Sequence, residues 1–251
     1  NIRDDIEVIY NHVKSLPKFR GDKILVFGHS EGSLHLSFLI AERRIAPSGV
    51  LFMGGLAESP TDVIHWQMTE RLAAAFFEFD FNSDGIVENE EIQIGHSKKM
   101  NLLHQIPIEV LFAPDGSWTK SALDVHLENS YQTVKAEAFS HYDTESFGAN
   151  GMIQASYRWW KMFFTDRESV IGKMSGFHGQ IIYLNGSQDA QTDFARQSAE
   201  INRVADQFLK RPKIVKVDAT GHTLGQDPIF GPILPSSLEL IQKTCISLLE
   251  D

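Results

Sequence analysis

Lys23-Ile24-Leu25-Val26-Phe27-Gly28-His29-Ser30-Glu31-Gly32 is the stretch on which the fold turns. Its apolar first half reads as a short buried strand. The pentad Gly28 to Gly32 fits G-x-S-x-G, and an amphipathic helix follows over roughly 33–44, ended by Pro47 and Gly49. A serine on a sharp strand-to-helix turn is strained, and its hydroxyl projects above the sheet. The flanking glycines are expected where a Cβ would collide with the neighbouring strand and helix. The turn also places the serine at a helix N-terminus, where N–H groups favour developing negative charge.

Outward from this point the chain keeps one grammar. A helix over about 3–15 precedes the stretch, and Val50-Leu51-Phe52-Met53, bounded by Gly54-Gly55, follows it as a second apolar strand. The pattern resumes late, with strands at 180–184 and 213–217 and helices at 193–209 and 236–249. Continuous apolar strands alternating with helices predict an α/β fold, a mostly parallel sheet covered by helices on both faces. Residues 57–170, nearly half of the chain, read as mostly helical and hold all four tryptophans. A helical cap inserted into a core of 1–56 and 171–251 is the expected organisation.

A serine needs a base, and the base needs an orienting acid. Asp189 follows the strand at 180–184 in Asn185-Gly186-Ser187-Gln188-Asp189, and His222 follows the strand at 213–217 in Asp218-Ala219-Thr220-Gly221-His222. Both emerge at the sheet edge that carries Ser30, in the chain order Ser, Asp, His. The interval between them holds one helix and one strand, as a parallel crossover requires. Asp193 suits a helix N-cap better, Asp218 is a weaker acid candidate, His29 is expected to point away from the serine, and His178 should lie at the opposite edge.

With Gly28-His29-Ser30-Glu31-Gly32, Gly186 to Asp189 and Gly221-His222 in place, residues 1–56 and 171–251 resemble an α/β-hydrolase. They are similar to its bacterial esterase and dienelactone-hydrolase or peptidase-like branches. The resemblance implies ester, thioester or amide hydrolysis through an acyl-enzyme on a small acyl substrate. It also implies that the cap follows the strand after the nucleophile, as the insertion here does. One departure stands out: the family normally places four strands before the nucleophile strand, and Ser30 comes too early for them. The Glu31 N–H is then the one recognisable oxyanion donor, and losing a second costs roughly 2.7–4 kcal/mol of transition-state stabilisation. An N-terminal segment of the same protein, preceding Asn1, is expected to complete the sheet, since the chain opens mid-helix without Met.

Inside the insertion, residues 80–91 match the twelve-position EF-hand loop. Asp80, Asn82, Asp84, Glu88 and Glu91 supply side-chain oxygens, Ile86 a carbonyl, and Gly85 the sharp turn. Ca²⁺ takes ~6–8 hard oxygen ligands, and Glu91 suits bidentate ligation. Helical patterns flank the loop at 68–79 and 89–100. Such loops pair through a short strand, here around Val87, and a degenerate partner without metal-binding capacity is expected at 143–154. Nothing in the sequence shows two lid states, so one calcium that staples the cap is expected, rather than one that gates it.

Composition limits the alternatives. A net charge of −10 argues against a general nucleic-acid binder, and no run approaches the ~20 apolar residues of a membrane span. The single cysteine, Cys245, excludes an internal disulfide framework and is expected as a buried thiol. The expected function is a carboxylesterase-like serine hydrolase with Ser30, His222 and Asp189 as its triad. The alternatives are a peptidase, acyl-peptide or thioester hydrolase and, in another class, a non-catalytic calcium-dependent binding protein on a hydrolase scaffold.

Overall fold

The computed structural model describes residues 2–18, 23–147 and 155–250. The chain opens with α1 (Ile2–Ser15), β1 (Leu25–His29), α2 (Glu31–Ala41) and β2 (Gly49–Met53). Next come α3 (Pro60–Met68), α4 (Glu70–Phe77), β3 (Ile86–Glu88), α5 (Asn89–Ser97), α6 (Ile108–Leu111), β4 (Ser117–Thr119) and α7 (Lys120–Ser140). The remainder is β5 (Ser146–Phe147), β6 (Ala155–Ser156), α8 (Tyr157–Thr165), β7 (Gln180–Gly186), α9 (Phe194–Val204), β8 (Lys213–Val217) and α10 (Pro235–Glu250). Two compact units emerge, one of Asn1–Val63 with Arg167–Asp251 and one of Ile64–Asp166. The break therefore falls inside α3, whereas the sequence reading drew its boundaries at 56/57 and 170/171.

In the first unit, β1, β2, β7 and β8 form a parallel sheet in that order. Phe27 stands opposite Leu51, Leu51 opposite Ile182, and Leu184 opposite Val215. The two-residue period of the strands sorts their apolar side chains onto opposite faces. Val50, Phe52, Ile181 and Tyr183 pack with Leu36, Leu39, Ile40, Ile201 and Val204 from α2 and α9. Leu51, Met53, Ile182 and Leu184 pack instead with Leu248 and, partly buried, Leu240, Ile241 and Cys245 of α10. Both faces are thus covered, which is why β2 and β7 are buried at every position and apolar through their centres. Cys245 is only half-buried, contrary to the sequence expectation, because it sits at the margin of the α10 seam. β1 and β8 are the edges among the described residues, and Phe27 of β1 is half exposed.

The two chain crossings at the root of the insertion are tied together within this unit. Val170 N–H donates to Glu58 O and Ile171 N–H to Ala57 O. The Gln197 side chain on α9 accepts from Ala57 N–H at 2.6 Å and Glu58 N–H at 3.2 Å, and donates to the Glu58 carboxylate at 2.8 Å.

The second unit has its own core of Phe76, Phe79, Val87, Ile92, Leu103, Trp118, Leu123 and Leu127. Gly95 of α5 is required here, since a Cβ would lie 2.2 Å from the Phe79 ring. β3 and β4 pair antiparallel, with Val87 opposite Trp118. The partner of the 80–91 loop is therefore the strand after Asp115-Gly116, not the segment at 143–154. Within that segment, Ser146–Phe147 pairs separately with Ala155–Ser156, and 148–154 lie outside the described residues. Among the described residues no helix is long and apolar enough to cross a membrane.

Candidate active site

Ser30 sits between the last residue of β1 and the first of α2, at φ 52° and ψ −123°. A non-glycine residue with positive φ is costly and persists only where its surroundings impose it. Here the Ser30 N–H donates to Met53 O at 3.1 Å, and its carbonyl accepts from Ser33 N–H at 2.9 Å and Ser33 Oγ at 2.7 Å. Gly28 is needed for space: a Cβ there would meet Leu36 and Phe52 at 3.0 Å. Gly32 is not, for a Cβ would find nothing within 4 Å among the described residues, so the steric expectation holds on one side of the serine only. The Glu31 N–H opens α2 beside Ser30, and the Glu31 carboxylate lies 3.1 Å from His35 Nε2.

Asp189 and His222 come together. His222 Nδ1 lies 3.0 Å from each oxygen of Asp189, and both residues are almost wholly buried. Burial of a charge-bearing pair is tolerable only when the remaining lone pairs are satisfied. Asp189 meets that condition: Oδ1 accepts from Gln191 N–H at 2.7 Å and Thr192 N–H at 2.9 Å, and Oδ2 from Thr192 Oγ1 at 2.8 Å. The loops that carry the two residues share an acceptor, since Pro228 O takes both Ala190 N–H and His222 N–H at 3.1 Å. Farther along the His222 loop, Thr223 Oγ1 donates to Gly231 O, and Asp227 accepts from Ile229 and Phe230 N–H.

Ser30 reaches this pair through its neighbours. Met53 holds the Ser30 N–H, and the next residue, Gly54, at φ 52°, lies so close to His222 that a Cβ would be 2.7 Å from its carbonyl oxygen and 2.8 Å from Nδ1. On the other side of the serine, the His29 ring is 4.8 Å from the His222 ring, with Nε2 3.4 Å from the His222 carbonyl. His29 therefore packs on the candidate base, a contact that the sequence did not indicate. Burial, together with the nearby His222, holds its imidazole below the usual histidine range. No hydrogen bond joins Ser30 Oγ to His222 among the described residues. Such contacts are often long without substrate and tighten in the reacting complex.

The rival acids lie elsewhere. Asp193 caps α9 by accepting from Arg196 N–H at 2.9 Å, while Asp218 is exposed beside Lys216. Thr192, Asn185 and Gly54 join the site although the sequence assigns them no role there. Only Gly54 carried a signal, as a glycine at a strand end.

In the second unit, the side-chain oxygens of the 80–91 loop serve its own backbone. Asp80 accepts from Asp84 and Gly85 N–H, Asn82 from Asp84 N–H, and Asp84 from Ile86 N–H. Glu91, buried, reaches back to Phe81 N–H at 2.9 Å and Glu88 N–H at 3.0 Å. Gly85 makes the turn at φ 83°. By kind and spacing these oxygens suit a hard cation, yet among the described residues no three His, Cys, Asp or Glu side chains are gathered as metal ligands.

No protein-family model matches this chain, and no curated protein does. Solved structures do. The complex of DcsB with its substrate analogue aligns at 12% identity over 99% of this chain and 71% of that chain, with a TM-score of 0.50. The fold is of the α/β-hydrolase type. An open-form lipase aligns at 13% identity over 99% of this chain and 71% of that one, TM-score 0.49. Est1E from Butyrivibrio proteoclasticus with bound ferulic acid aligns at 12% over 98% and 66%, TM-score 0.47, so this chain spans slightly under two thirds of that protein's length. Identities this low speak to the α/β-hydrolase fold alone.

Proposed function

We propose that this chain is a serine hydrolase that cleaves a carboxylic ester through an acyl-enzyme. The supporting observation is the buried Asp189–His222 pair, with Nδ1 at 3.0 Å from both carboxylate oxygens, packed against the same Met53–Gly54 segment that holds the Ser30 N–H. In this reading Ser30 Oγ attacks the acyl carbonyl while His222 Nε2 takes its proton. Asp189 keeps the Nδ1–H tautomer and stabilises the imidazolium. The Glu31 N–H, at the positive end of α2, donates to the oxyanion. His222 then returns the proton to the leaving alkoxide, and water repeats the sequence to free the acid. In the inserted unit, Asp80, Asn82, Asp84, Glu88 and Glu91 with the Ile86 carbonyl would hold one Ca²⁺, which would stiffen that unit by binding its folded form.

A fluorophosphonate probe should label the wild-type chain and leave Ser30→Ala unlabelled. Absence of wild-type labelling would overturn the assignment. A panel of p-nitrophenyl esters set against aminoacyl amides separates an esterase from a peptidase.

A further inference from the structure

The acid of the pair is itself held by a directed chain of hydrogen bonds that begins on β7. Asn185, fully buried at the end of that strand, donates from Nδ2 to Thr192 O at 3.3 Å and to Thr192 Oγ1 at 3.2 Å. A carbonyl only accepts, so the amide nitrogen must face Thr192, and the side chain cannot be turned over. Its Oδ1 is left buried without a partner among the described residues, so this orientation is kept despite a cost. A hydroxyl has one proton. Because Thr192 Oγ1 accepts from Asn185, that proton is directed at Asp189 Oδ2, 2.8 Å away. Thr192 also donates its N–H to Oδ1, and it is almost completely buried.

We propose that Asn185 and Thr192 are positioning residues for the candidate triad: Asn185 fixes the Thr192 hydroxyl, and Thr192 fixes the plane and charge of the Asp189 carboxylate that orients His222. The proposal rests on the triad reading above for its effect on turnover, but not for its effect on His222. Among the described residues, the titratable groups that face His222 are Asp189, from the turn after β7, and His29, from the end of β1. A donor removed from a carboxylate leaves that carboxylate more basic, and a more basic partner favours the imidazolium.

Thr192→Val keeps the shape and deletes the hydroxyl, while Thr192→Ser restores it. Fluorophosphonate labelling of Thr192→Val should be slower by about tenfold to hundredfold, the range expected for one hydrogen bond to a charged group. Thr192→Ser should recover most of the rate, and chemical denaturation should show both variants folded. Independently of turnover, the His222 titration midpoint, followed by NMR of its ring, should move up in Thr192→Val and return in Thr192→Ser. An unmoved midpoint in a folded Thr192→Val would overturn the proposal even if labelling changes. A moved midpoint in a chain that the probe never labels would uphold it and sink the hydrolase reading instead.

Discussion

Replacing Gly54 by alanine would press a methyl group onto His222, at the ring nitrogen that faces Asp189. The new Cβ would stand 2.7 Å from the His222 carbonyl oxygen, 2.8 Å from Nδ1 and 2.9 Å from Cε1, each shorter than a normal contact with carbon. None of these atoms is the end of a flexible side chain. The imidazole is held by Asp189 at 3.0 Å, and the His222 backbone by Pro228 at 3.1 Å, so relief requires the whole loop to retreat by about half an ångström to one ångström. A misplacement of ~1 Å in a reacting group costs on the order of 10²-fold in rate. Alanine at φ 52° adds about 1–2 kcal/mol of backbone strain. Gly54→Ala should therefore lose roughly 10² in fluorophosphonate labelling rate, while urea denaturation shows it destabilised by about 2–5 kcal/mol from backbone strain and overpacking together. A variant that is folded and labels at the wild-type rate would refute the idea that Gly54 sets the position of His222.

Other expectations follow from separate features. Adding Ca²⁺ should raise the melting temperature, by an amount equivalent to ~2.7 kcal/mol at a hundred times its dissociation constant; Glu91→Gln should abolish the rise, and a melting temperature indifferent to both calcium and EDTA would dismiss the ion. Burial raises the Glu58 carboxyl above the ordinary carboxylate range, against the opposing pull of Arg196. The folded state therefore binds this proton more tightly than the unfolded chain, and the resulting stability is complete below the ordinary value and lost as pH rises through the raised one. Glu58→Gln should flatten that acid segment of the stability curve measured by denaturant titration; an unchanged slope would count against the shift.

The α/β fold is legible because β1, β2, β7 and β8 are apolar runs at helix-length intervals, and both faces of a parallel sheet demand such runs. Ser30, Asp189 and His222 can be picked out because each follows the carboxyl end of a strand. That alone brings their loops to one edge. Thr192 and Asn185 have no such mark, since their contacts cross a tight turn in a way no periodicity encodes. The contact of His29 with His222 is not legible because G-x-S-x-G describes the path of the backbone, not which neighbouring loop the intervening side chain will meet. Gly32 shows the opposite failure, a motif position whose steric reason is absent in space. The partner of the 80–91 loop escapes notice because its strand follows a helix of only Ile108–Leu111, and Leu111 and Ala113 stand where the calcium-type loop has Asp80 and Asn82. Trp118 opposite Val87 supplies an apolar contact instead.

The carbonyl of Pro228, which accepts from both Ala190 and His222, couples two loops of independent origin. Because both loops hang on one acceptor, a displacement of the 227–229 stretch would shift the acid turn and the base loop together. The spacing of acid and base would then be kept more closely than the gap across which the serine proton would travel. The exposed Phe230 side chain lies beyond the shared carbonyl, so replacing it alone should leave that spacing intact, whereas a change of length there would break the Asp227 and Thr223 bonds.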